Sequence, residues 1–150
     1  MPEKKTIQRA REDKRKGKSA STQAGEFVRE EMHHIREGKH GARSTKQAIA
    51  IGLSKARQAG VDLPPPEEGE TTERTRKSAE RAYTRGQSDR KRKKSAKRSR
   101  AVEHALQREG TSAASHKSLS KQAHAAANRR TASERSASAK KAARTRARKG

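Results

Sequence analysis

Lysine and arginine are the most abundant reactive or binding side chains in this 150-residue sequence, since they number 40 against 17 Asp and Glu. The resulting formal charge is +23, and residues 90–150 alone carry 20 basic and 3 acidic side chains. Such a density of positive charge binds phosphate groups by releasing their counterions, and it needs no fixed geometry. The charge pattern therefore predicts a polyanionic partner, of which nucleic acid is the commonest.

Two stretches of the C-terminal region are the richest in basic residues: residues 90–100 hold eight and residues 140–149 hold six. The nucleic-acid-binding residues that we predict in this region are Arg90, Lys91, Arg92, Lys93, Lys94, Lys97, Arg98, Arg100, Arg129, Arg130, Lys140, Lys141, Arg144, Arg146, Arg148 and Lys149. A solvated tail without a partner is the plain alternative. A membrane surface is a weaker one, because the tail lacks the apolar face of an interfacial helix. Aromatic residues make up 1% of the chain, so base stacking cannot dominate binding.

Arg43 and Lys46 form a second predicted contact with phosphate. They flank Ser44, which begins an S-x-x-Q pattern typical of a helix N-terminus. The free N–H groups at such a terminus attract phosphate, and the same end of a recognition helix enters the major groove of DNA. Sequence-specific reading, phosphate contact and a purely structural hairpin all remain open at this point.

No other group of residues predicts a metal, nucleotide or catalytic site. His33, His34 and His40 lie near glutamates, but Cys and the H-E-x-x-H pattern are absent, so we expect solvent-facing histidines and no metal site. A nucleotide-binding loop is also missing, and no pocket is evident that could orient a nucleophile. We therefore expect no enzymatic activity, no cofactor and no small-molecule substrate. No run of about 18 apolar residues and no apolar leader occur, which favours a cytoplasmic location without a membrane span.

The elements that must position these residues are helical. Apolar residues recur at helical spacing between Ala24 and Ile35, residues 38–41 interrupt the pattern, and a second apolar face ends at Gly60, before three prolines. Gly60 suits the left-handed residue that follows a helix, and prolines forbid its continuation. We predict a helix-turn-helix hairpin over residues 21–60, within a module at 19–63. A homodimer that buries both apolar stripes is plausible.

Outside the hairpin, composition favours disorder. The chain has only 15 large apolar residues besides its alanines, too few to offset the conformational entropy of 150 ordered residues. We therefore predict an all-α class with a small hairpin and a largely disordered, conditionally helical C-terminal region. The remaining segments are a charged N-terminal lead (1–18), a Pro/Glu linker (64–73) and a basic low-complexity region of Ala, Ser, Lys and Arg (74–150).

Several segments of the sequence resemble a family of small basic bacterial proteins. They are residues 4–10, 19–28 and 41–57, together with the tail at 139–150. That family is a domain of unknown function, loosely labelled as DNA-binding or plasmid-stabilisation protein. The resemblance implies a bacterial protein at the nucleoid, with DNA favoured over RNA. An RNA- or ribosome-associated protein stays open, as does an antitoxin-like partner-binding module whose tail steers it to nucleic acid.

Overall fold

A computed structural model of the chain describes residues 2–88 and 95–148, and all regular structure in these two ranges is helical. The all-α class is therefore confirmed. The chain divides into two compact units, Met1–Ser115 and His116–Gly150. The N-terminal unit contains α1 (Lys4–Arg15), α2 (Ala20–Arg36), α3 (Thr45–Gln58), α4 (Glu73–Gln87), α5 (Ala96–Gln107) and a 3-10 turn (Ser112–Ala114). The C-terminal unit contains α6 (His116–Asn128) and α7 (Ala132–Ala147).

The predicted hairpin is present as α2 packed against α3. The end of α3 follows the expected chemistry: Gly60 has φ +87°, and the Val61 amide donates to the Ala56 carbonyl at 3.1 Å. At the start of α3, Ser44 Oγ accepts from the Gln47 amide at 3.2 Å. Gln47 Oε1 in turn accepts from the Arg43 amide at 2.8 Å, one residue before the helix cap. The capping pattern of the sequence is thus realised with a shift of one residue.

The core of the N-terminal unit is built mainly from alanine. Of the 13 buried apolar residues in the described ranges, nine are Ala, and the others are Phe27, Met32, Ile35 and Val61. Small side chains let the helices approach closely: a Cβ on Gly52 of α3 would lie 2.7 Å from the Val28 Cα of α2. Close backbone packing therefore supplies contact that large side chains supply elsewhere.

Two further helices cover the hairpin. Helix α1 packs on α2, and α4 packs on α3 through its buried residues Ala79 and Ala82. The proline segment is tied to α3 by Arg57, whose guanidinium donates to the carbonyls of Leu63 at 3.0 Å and Pro64 at 3.1 Å. Burial lowers the pKa of Arg57 from its ordinary value. Both apolar stripes are thus packed inside one chain, and a homodimer stays a prediction.

The expected disorder of the C-terminal region is wrong. The 3-10 turn packs against α2 and α3, where the Thr45 hydroxyl donates to the Ala113 carbonyl at 2.7 Å and Arg36 Nε donates to the Ala114 carbonyl at 2.8 Å. Helix α4 and this turn make the N-terminal unit a multi-helix domain rather than a lone hairpin. The segment expected as a charged lead is also helical, as α1. In the N-terminal unit, buried alanines supply apolar contact that a count of large apolar residues leaves out.

The helices of the C-terminal unit form for local reasons. No described residue of α6 or α7 is buried. Alanine, lysine and arginine have high helix propensity, and no proline follows Pro66. Thr131 begins α7 with a capping box, in which its hydroxyl accepts from the Glu134 amide at 3.2 Å and Glu134 accepts from the Thr131 amide at 2.7 Å. Across the described ranges, no helix combines the length and apolar character needed to cross a membrane.

Candidate nucleic-acid interface

Arg43 and Lys46 lie at the start of α3, where both side chains are exposed. Neither makes an ion pair with a described residue. The helix terminus itself is partly covered: Ser44 Oγ already accepts from the Gln47 amide, and Thr45 is buried beneath Ala113. The two cations are thus available to a polyanion, whereas the helix end offers fewer free N–H groups than the sequence suggested.

The basic block at 90–100 is described only in its second half. Arg90, Lys91, Arg92, Lys93, Lys94 and, at the C-terminus, Lys149 lie outside the described residues. Lys97, Arg98 and Arg100 lie in the first turns of α5, and all three side chains are exposed. Arg100 Nε donates to the Ala96 carbonyl of its own helix at 3.4 Å. The described half of the block therefore presents three exposed cations on one helix.

Helix α7 carries the most regular arrangement of cations. Lys140, Arg144 and Arg148 follow one another at i, i+4 and i+8, which places them on one helix face; we call them the α7 stripe. All three side chains are exposed, as are Lys141 and Arg146. Cations in the last turn also interact favourably with the negative end of the helix dipole, which would explain Arg144 and Arg148 without any partner. An experiment must separate these two roles.

Arg129 and Arg130 lie in the connection between α6 and α7, and both are exposed. The Arg130 guanidinium donates to Ser138 Oγ at 2.6 Å, and its carbonyl accepts from the Arg135 guanidinium at 3.1 Å. These bonds hold Arg130 beside the first two turns of α7. All predicted cations of the C-terminal unit that the structure describes are therefore on its surface.

The ion pairs of the protein are distributed unevenly. Among the described residues, every pair between Lys or Arg and a carboxylate falls within residues 3–77, such as Lys16–Glu12 and Arg76–Glu73. None falls within residues 95–148. The lone acid of residues 116–150, Glu134, is engaged by Thr131, whose backbone and side-chain hydrogen bonds lower the pKa of that carboxyl below 4.5. The C-terminal cations thus have no neutralising partner in the described part of the chain.

The histidines differ from expectation. His33 is exposed, but the side chains of His34 and His40 are only 14% and 15% exposed. His34 Nε2 lies 3.1 Å from Glu3 Oε1, and His40 Nε2 lies 3.2 Å from Glu31 Oε1. The interpretation of all three as solvent-facing is therefore wrong for His34 and His40. Sequence spacing showed that glutamates are near, but only the fold shows which of them meet the imidazoles.

Residues 15–67 match the profile of a family of unknown function (DUF6496). This match covers the end of α1, the hairpin and the proline segment, so this part of the chain is similar to that family. No curated protein and no solved structure is significantly similar to the chain.

Proposed function

We propose that the protein binds nucleic acid through phosphate contacts made by its C-terminal cations, with little preference for base sequence. The observation that carries the proposal is the separation of charges. Acidic residues pair with cations in residues 3–77, while the exposed cations of residues 95–148 have no such partner in the described chain. Residues 90–150 carry an excess of 17 positive charges, because 20 basic side chains face only three acidic ones.

The phosphate groups of a nucleic acid fit these cations better than other partners do. Arginine and lysine on exposed helices contact phosphate oxygens without reading bases, which gives affinity but little specificity. The near absence of aromatic residues excludes a stacking platform as the main binding mode. DNA at the bacterial nucleoid or on a plasmid is the target that we favour. Structured RNA has the same phosphate chemistry, so the experiment must compare the two.

The test is a salt titration of binding to duplex DNA and to structured RNA. If about 10 phosphates are neutralised, the logarithm of the association constant should fall with log salt with a slope near −9. A slope shallower than about −3 on both ligands would contradict binding by the C-terminal cations. Tighter binding to RNA at matched salt would redirect the proposal to an RNA-associated protein.

The α7 stripe allows a charge-matched comparison. In the variant K140Q/R144Q/R148Q, we expect the salt slope to become shallower by about 2.7, since each lost phosphate contact removes about 0.9. The control K16Q/R76Q/K77Q lowers the net charge equally, but it removes cations that are already paired with Glu12 or Glu73. Exposed pairs of this kind contribute little to stability, so the control should stay folded and keep the original slope. Equal slopes in the two variants would show that net charge alone matters.

A further inference from the structure

Glu31, His34 and His40 meet at the end of α2, although the sequence does not bring them together. Glu31 and His34 are one helical turn apart, at i and i+3, and so share a face of α2. The chain then reverses at Gly38, which has φ +71°, with the Lys39 amide donating to the His34 carbonyl at 3.0 Å. This glycine turn returns His40 alongside α2. One potential ligand atom from each of the three side chains then lies within 4.8 Å of the other two.

One oxygen of the Glu31 carboxylate lies beside His40. The side chain is fully buried, and Oε2 is paired with Lys55 Nζ. Oε1 makes no hydrogen bond with any described group, although His40 Nε2 lies only 3.2 Å away. A buried carboxylate oxygen is unfavourable without a positive partner, so the position favours a bound proton or cation.

The hydrogen bond of the other ring nitrogen of His40 fixes which nitrogen lies beside Glu31. His40 Nδ1 lies 3.1 Å from the Gly41 carbonyl, which can only accept a hydrogen bond. Nδ1 therefore donates to this carbonyl, and Nε2, which lies 3.2 Å from Glu31 Oε1, is the ring nitrogen left to bind a metal. The distance between these two atoms is close to that between two ligand atoms of one metal ion. Bonds of 2.0–2.1 Å in a tetrahedral site put neighbouring ligand atoms about 3.3 Å apart.

We propose that Glu31, His34 and His40 bind a divalent transition-metal ion of the zinc class. Two imidazoles and one carboxylate are a donor set that Zn²⁺ uses when its fourth position is left to water. Backbone and carboxylate oxygens orient the rings, as outer groups do in protein zinc sites: Gly41 holds His40, and Glu3 lies 3.1 Å from His34 Nε2. His34 also lines a small cleft of about 190 Å³ on the side of Glu3.

This site does not depend on nucleic-acid binding, because none of its three residues belongs to the proposed phosphate-binding set. Bound metal would join the end of α2 to the turn that leads into α3. The Gly41 amide, directly after His40, donates to the Leu106 carbonyl of α5 at 2.9 Å. The metal would therefore lock the point where α2, the turn and the end of α5 converge.

The test is Zn²⁺ binding to the metal-free full chain by calorimetry, with Co²⁺ absorption as a second readout of coordination. We expect one ion per chain, and at least a 10-fold loss of affinity in H34Q and in H40Q, since even outer-shell changes cost 10- to 100-fold. The matched control is H33Q, which alters the neighbouring exposed histidine and should bind like the original protein. Equal affinity in H33Q, H34Q and H40Q, or no binding near one ion per chain, would overturn the site.

A measurement on the unaltered protein covers the case in which a variant fails to fold. In an NMR titration with Zn²⁺, the ring resonances of His34 and His40 should shift together at one equivalent, and those of His33 should not. Shifts confined to other histidines would contradict the proposal. So would a His40 that carries hydrogens on both ring nitrogens and ignores the metal, because that ring already pairs with Glu31.

Discussion

At the scale of single residues, two helical glycines differ in what surrounds them. A Cβ placed on Gly86 of α4 would collide with the Arg57 carbonyl at the end of α3. Gly25, also inside a helix, has nothing within 4 Å of the same added atom. The two positions share a residue type and a helical backbone, but only one of them lies at a helix contact.

This contrast gives a prediction for Gly86→Ala. We expect the substitution to lower the free energy of unfolding by about 1–3 kcal/mol, because α4 must move away from α3 to admit the methyl group. Denaturant titration followed by circular dichroism measures the change. Gly25→Ala is the control, and it should stabilise the protein by roughly 0.5–1 kcal/mol through the loss of glycine's backbone freedom. A neutral or stabilising Gly86→Ala would contradict the close approach of α3 and α4.

The histidines show what residue spacing can and cannot predict. Sequence proximity placed His33, His34 and His40 near glutamates, but it did not reveal that Gly38 reverses the chain and sets His40 against Glu31. The signal that could have found the site is Glu31 one turn before His34, followed by a glycine and a further histidine. Such a pattern is common in surface helices, so it becomes specific only with the turn geometry in hand.

At the scale of elements, the hairpin was predictable because its evidence is local. Apolar spacing, the Ser44 cap, Gly60 and the prolines all act within a few residues of one another, and α2 and α3 form where these features place them. The docking of the 3-10 turn is different, since Thr45 and Ala113 are 68 positions apart in the chain. No periodicity indicates such a contact, and the alanines that make it lie in a stretch whose composition predicts low complexity.

Helix α7 is the element whose stability should respond to pH. Hydrogen bonds from Thr131 lower the pKa of Glu134 in the folded helix, so the capping box favours the charged carboxylate. Its stabilisation is fully present above the ordinary pKa of 4.5 and is lost as the pH falls through the lower value of the folded state. We expect the first turn of α7 to fray in acid, as seen in amide chemical shifts between neutral pH and pH values well below 4.5.

The variant E134Q controls for other effects of acid on α7. Glutamine keeps a carbonyl that can accept from the Thr131 amide but has no carboxyl to titrate. The first turn of its α7 should therefore show the same chemical shifts across the whole acid range. If E134Q frays with pH like the original protein, some group other than Glu134 controls the start of this helix.

At the scale of the whole molecule, the N-terminal unit is the part with a core. All buried apolar residues of the described ranges lie in it, including Ala113 and Ala114 just before its last residue. The segment predicted as a linker, residues 64–73, lies within this unit. The cations at 95–100 belong to this same unit, so positive charge is not confined to a separate tail.

Truncation tests this organisation. A fragment of residues 1–115 should unfold cooperatively, with the same free energy as that unit has in the full chain. A fragment of residues 1–66 lacks α4 and the 3-10 turn, and it should be destabilised by more than the roughly 2 kcal/mol that the Thr45 and Arg36 hydrogen bonds contribute. Thermal unfolding monitored by circular dichroism compares them. Equal stability of the two fragments would restore the hairpin as the independent module.

The alanine core has a thermodynamic consequence. The heat capacity gained on unfolding rises with the apolar surface exposed, and that increment sets how sharply the stability curve bends with temperature. Nine of the 13 buried apolar residues in the described ranges are alanine, and such a core exposes less apolar surface on unfolding than one of leucine and isoleucine. The free energy of unfolding of the N-terminal unit should therefore change little between cold and warm conditions.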